Sequence, residues 1–137
     1  VAYAVYGSRQ YLRRHRDVKV LGEHDWIALD ESMIHNRTIK WLAKVRPLET
    51  VHLRTSTFIG AREACADGLG LAVLPCFLGD THRALKRVTG ALAVCKAELW
   101  LLMHPDLRET ARVRVVYRLV RQELIKMSSL ISGAAVR

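Results

Sequence analysis

The sequence is poor in everything that staples, anchors or metallates a chain. Its 137 residues include only three cysteines, Cys65, Cys76 and Cys95. That odd count without a CxxC spacing argues against a disulfide framework and a zinc ribbon, and fits a reducing, cytoplasmic setting. The longest apolar run, LGLAVLPCFL, is interrupted by glycine and proline and falls short of the roughly 18 residues of a membrane span, so no membrane partner is expected. There is no HExxH, and the six histidines are scattered singly. With no paired carboxylates either, the sequence assigns no metal, no cofactor and no catalytic residue. VAYAVYGSRQ lacks the basic start and cleavage site of a signal peptide. It opens as if already inside a strand, which reads as part of a longer protein.

What is present is the composition of an ordinary globular domain, half apolar and a quarter charged, with enough chain for one core. The net charge of +9 is spread along the chain, and no basic cluster interleaved with aromatics marks a nucleic-acid surface. Arg108, Arg112, Arg114, Arg118 and Arg121 fall on one predicted helix, where Glu109 and Glu123 balance them as a solvated face.

Strands and helices alternate. VAYAVYG reads as a strand, followed by a short helix, SRQYLRRH, capped by Ser8. WIALD, residues 26–30, is a buried strand, and Thr38, Trp41, Leu42 and Val45 sit at helical spacing in a helix over 33–45 that Pro47 stops. VHLRT alternates as a strand and leads to a helix near 58–67. LAVLP is a continuous apolar strand of the kind covered on both faces. A loop over 79–95 contains a short strand near LKRV, ELWLLMH at 98–104 is a further strand, and Pro105 opens a long helix. The order predicts an α/β fold with a mainly parallel sheet.

Gly68 and Gly70 follow a helix and precede a strand, the reverse of a phosphate-binding loop, in which amides at a helix N-terminus are free. They are read as a helix C-cap and a turn into the sheet. Cys65 and Cys76 are read as packed thiols. RTSTF, residues 54–58, carries more functional promise. At the end of a strand feeding a helix, Ser56 and Thr57 either cap the helix or offer hydroxyls beside free amides to an anion, and both can hold at once.

Four stretches in order resemble the effector-binding domain of LysR-type transcriptional regulators: YAVYGSRQYL, EHDWIALD, RTSTFIGAREACADGLGLAVLPCFLGD and ELWLLMHPDLRETARVRVVYRLVRQEL. The resemblance implies a periplasmic-binding-protein-like fold of two α/β lobes, with the second lobe nearly complete and only the C-terminal part of the first. It implies a first crossover strand over 1–7, lobe II over 8–97, a return crossover strand over 98–104, a first-lobe helix over 105–127, and a fraying tail over 128–137. It further implies effector contacts at Ser56, Thr57, Phe58 and Ser8, with Arg54 and Pro75 as second contacts. The partner is then a small-molecule effector, with Arg54 hinting at an anionic one. DNA would be reached only through a winged helix-turn-helix not present in this sequence, and the domain would form a homo-oligomer. Two other readings stay open: a solute-binding protein of a transporter, and a small enzyme using Cys76 with a histidine.

Overall fold

A computed structural model describes residues 1–15, 20–33, 36–51 and 53–134. Five strands form one sheet in the order β3-β2-β4-β1-β5: β1 is Tyr3–Ser8, β2 Trp26–Leu29, β3 Leu53–Thr55, β4 Leu71–Pro75 and β5 Leu85–Arg87. The helices are α1 (Arg9–Arg14), α2 (Arg37–Val45), α3 (Phe58–Ala66), the single turn α4 (Cys76–Gly79), the long α5 (Ala111–Lys126) and the short α6 (Ser128–Ile131).

All five residues of β4 are buried, because the strand has neighbours on both edges and helices on both faces. Ala72 and Leu74 join Ala4, Tyr6 and Ile27 against Ala61 and Cys65 of α3. Leu71 and Val73 join Val5, Trp26 and Ala28 against Tyr11 of α1 and Leu42 of α2. The period-two alternation of a strand therefore delivers one apolar set to each layer. The sheet is mixed: β3-β2-β4 is parallel, as strand-helix alternation requires, but β1 runs antiparallel to both β4 and β5.

The glycine turn works as a helix stop. Gly68 has φ +84, its N–H donates to Cys65 O at 3.0 Å, and Leu69 N–H donates to Ala64 O at 3.2 Å, the paired bonds of a Schellman cap. Gly70 lies against the backbone of Asp25: a Cβ there would sit 2.6 Å from the Asp25 carbonyl oxygen. Leu71 N–H donates to that same oxygen at 2.8 Å, so the close approach registers β4 beside β2.

Three expectations require correction. Residues 98–104 form no strand: they pair with none of the five strands, and Leu99, Trp100 and Leu102 are exposed. Pro105 opens only a single 3-10 turn, Pro105–Leu107, and the long helix begins at Ala111. The tail, expected to fray, is ordered through residue 134, where α6 docks. Ile131 O accepts from Ala2 N at 2.9 Å, and Gly133 O accepts from Arg87 Nη1 at 3.0 Å. Arg87 is itself fixed by a forked pair with Asp80, whose Oδ1 also accepts from the Tyr6 hydroxyl at 2.8 Å. Residues 135–137 lie outside the described residues.

Leu74, fully buried, and Leu102, 82% exposed, provide a matched test. Leu74→Ala is expected to destabilise the chain by about 2–5 kcal/mol in denaturant titration, and Leu102→Ala to stay within about 0.5 kcal/mol of the parent. Equal losses would contradict this assignment of the core.

Candidate functional site

In an open sheet, ligands bind outside the carboxyl ends of parallel strands, where following helices begin. Here that end is built by residues after β2, β3 and β4 and by the start of antiparallel β1. Tyr3 pairs with Pro75 across β1 and β4, and the Tyr3 and Phe58 rings lie 5.6 Å apart. Ser56, Thr57 and Phe58 form the turn from β3 into α3. The structure thus gathers Ser56, Thr57, Phe58 and Pro75 at one end of the sheet, with Tyr3 among them.

Each side chain there has a distinct state. Thr57 caps α3, its Oγ1 accepting from Gly60 N at 3.0 Å, while its carbonyl accepts from Thr55 Oγ1 at 3.0 Å. The cap satisfies one of the first amides of α3, and Phe58 and Ile59 precede the first intrahelical donor, Ala61. Ser56 is exposed at the tip. Phe58 is half-buried and packs on the core, and Pro75 is buried beneath Tyr3. The cap and the anion cradle are therefore compatible: Thr57 performs the first role and leaves the helix end open for the second.

Two sequence candidates lie elsewhere. Ser8 is 1% exposed and ends β1 at the opposite end of the sheet, where a Cβ on Gly68 would lie 3.3 Å from its hydroxyl. Its Oγ accepts from Tyr11 N at 3.0 Å, so Ser8 is a helix cap, consumed by α1. Arg54 donates to Leu48 O at 2.8 Å, which ties its guanidinium to the preceding 3-10 turn, Leu48–Thr50.

Sequence reasoning missed Arg37 and Lys96. Arg37 is the first residue of α2, capped by Asn36, whose Oδ1 accepts from Thr38 N at 2.9 Å. It donates to Lys96 O at 2.7 Å, and with Lys96, Glu98, Ala2 and Ser132 it lines a hollow of about 620 Å³ on the β1 side of this end. The available signal was its position. A cation in the first turn opposes the helix dipole, and no acid stands there to offset it.

The thiols hold no such site. Cys65, Cys76 and Cys95 are buried and free. Burial pushes the Cys65 thiol up to about 12 from 9.0, and raises Cys76 and Cys95 as well. Histidines that a Cys76 nucleophile would need are engaged with other groups: His24 with Tyr11, His15 stacked on Tyr11, His104 accepting from Asp106 N, His82 near Glu63. His35 and His52 lie outside the described residues. Among the described residues no group of three potential metal ligands occurs, and no helix is long and apolar enough to cross a membrane.

A mixed sheet covered on both faces, with helix N-termini and hydroxyls at the carboxyl end of its parallel strands, has the architecture of an α/β lobe of the periplasmic-binding-protein type. The LysR substrate binding domain model matches residues 2–125, and the chain belongs to that family, whose members are regulator domains rather than enzymes. In three dimensions it is similar to the regulatory domain of CrgA, a LysR-type transcriptional regulator from Neisseria meningitidis, with a TM-score of 0.61 and 22% identity. The match covers 90% of this chain and 64% of that one, so the chain spans less than two thirds of the CrgA domain's length. No curated protein sequence matches the chain.

Raised thiol pKa values leave little thiolate at neutral pH, so reactivity is expected to be suppressed in the fold. Alkylation of all three cysteines at pH 8 is expected to run at least about tenfold slower in the native chain than in denaturant, followed by mass spectrometry. A native Cys76 that reacts at the unfolded rate would contradict its burial.

Proposed function

We propose that the chain senses a small-molecule effector, without catalysis, as part of a cytoplasmic LysR-type transcription regulator. The observation that carries this is the convergence, at the carboxyl end of the parallel strands, of the Ser56–Phe58 turn, the start of α3 and the Tyr3 ring. Oxyanions suit such an end, because the first amides of a helix are unpaired and its dipole is positive there. α2 and α3, which begin at this end, each lack an acid in the first turn; of the acids nearby, Asp30 accepts from Ser32 and Glu98 from the Trp100 indole. Arg37 and Lys96 outweigh Glu98 in the hollow they share, so the effector class is a carboxylate or another small anion.

Family membership favours a regulator over a transporter's solute-binding protein, which shares the architecture. The buried thiols weigh against the Cys76 enzyme. In a complete regulator, effector binding would act by differing in affinity between two arrangements of the domain, biasing subunits that hold DNA through a separate module. The homo-oligomer belongs to the same proposal.

The test is a thermal-shift screen of the chain against small aromatic and aliphatic carboxylates, followed by titration of any that raise Tm. Ser56→Ala removes an exposed hydroxyl with little expected effect on stability. It is expected to weaken binding about tenfold, the size of a charge-assisted hydrogen bond of ~1.5 kcal/mol. Thr57→Ser keeps the cap and should bind as the parent does. If every stabilising carboxylate binds Ser56→Ala and parent equally, this turn is not the site.

A further inference from the structure

Several cations from separate parts of the sequence, Arg9, Arg13, Lys86 and Arg87, meet on the edge of the sheet away from the Ser56–Phe58 turn. β5 is the edge strand, pairing only with β1. Arg9 N–H donates to Ala84 O at 2.9 Å and Arg9 Nε to Arg83 O at 3.3 Å, so the start of α1 is fastened to the approach of β5. Lys86 pairs with Gly7, which places it on the α1 side of the sheet. Between α1 and β5 lies a hollow of about 490 Å³ lined by Arg9, Arg13, Lys86 and Arg87, with Leu12 and Val88 as its apolar part. A second hollow, of about 530 Å³, lies on the other side of β5 and shares Arg9, Lys86 and Arg87.

The charges of these cations are not cancelled locally. Among the described residues lining the first hollow there is no carboxylate. The one acid in the second, Asp80, is held by the forked pair with Arg87. Arg9, Arg13 and Lys86 remain, all exposed, facing a concave space with no counter-charge among the described residues that line it. Holding like charges together costs free energy that an anion would relieve. Arginine forks match carboxylate and phosphate oxygens in geometry as well as charge. The volume is that of a small-molecule pocket, and a concave floor with apolar walls suits a compact ligand better than a duplex.

We propose that the hollow between α1 and β5 is a second binding site, separate from the strand-end site, for a small molecule carrying two or more negative charges. Arg9, Arg13 and Lys86 supply the charge, and Leu12 and Val88 the contact surface. A regulator lobe with two anion sites can respond to two metabolic signals, each biasing the same conformational equilibrium.

The experiment is isothermal titration of the full chain with inorganic pyrophosphate and with citrate at low salt, in parallel with an unrelated DNA duplex. At least one of the two small polyanions is expected to bind, and to weaken as salt is raised through the range where the Debye length falls to about 8 Å. Lys86→Gln is expected to weaken binding at least tenfold, and Arg9→Gln with Lys86→Gln to abolish it. Lys86→Gln should keep the parent Tm, and the double variant, which also gives up the exposed Arg9 Nε bond to Arg83 O, should lose no more than about 4 °C. Arg37→Gln, at the other end of the sheet, should bind normally, which separates this result from failure of the strand-end site. Absence of heat with both polyanions, or equal binding by the Lys86 variant, overturns the proposal. Duplex binding that these substitutions abolish, without binding of pyrophosphate or citrate, also overturns it and makes the edge a nucleic-acid contact.

Discussion

The structure depends on burying LAVLP on four sides at once. A strand with Leu71 and Val73 on one face and Ala72 and Leu74 on the other is stable only with helices above and below and a strand on either edge. The turn before it adds direction. The Schellman cap at Gly68 and the close approach of Gly70 to Asp25 leave only residues 67–70 between α3 and β4. α3 must therefore run back across the sheet, and its N-terminus must lie at the carboxyl end of β4. The site location follows from that short connection: the turn Ser56–Phe58 is carried to the strand ends because the far end of its helix is pinned by two glycines.

Function then divides between the two ends of the sheet. At the carboxyl end, helix starts, hydroxyls and an aromatic pair are left open. At the other end the polar groups are consumed by structure: Ser8 caps α1, and the Tyr11 hydroxyl accepts from Asp25 N at 3.0 Å. The same residue type has opposite roles because of burial. Ser56 has an exposed hydroxyl, while Ser8 has none of its surface to spare. On the β5 edge a third situation arises, in which cations from separate parts of the chain meet and, among the described residues lining the hollows, the one acid, Asp80, is held by Arg87.

The alternation of strands and helices, the capped turn and the packed cysteines were legible because each rests on local chemistry: a period, a positive φ, an apolar run. The Ser56–Phe58 turn was legible for the same reason, as hydroxyls at a strand-helix joint. What escaped was set by tertiary contacts. The strand direction of β1 cannot be read from its composition, so the sequence did not show that Ser8 and the Ser56–Phe58 turn lie at opposite ends of the sheet. Residues 98–104 have strand chemistry but pair with no strand of the sheet, and the tail's order comes from Arg87 and Ala2, far away in sequence. Arg37 and Lys96, 59 residues apart, meet only once α2 is folded. The charge on the β5 edge was invisible for that reason too.

The central claim is that ligand engages the carboxyl end of the parallel strands. The most direct measurement is backbone-amide NMR of the chain titrated with a small carboxylate that stabilises it. The account predicts shifts concentrated at Ser56, Thr57, Phe58, Ile59 and Tyr3, with Ser8, Gly68 and Tyr11 unmoved. Shifts centred on the Ser8 and Gly68 end, with the Ser56–Phe58 turn silent, would contradict it.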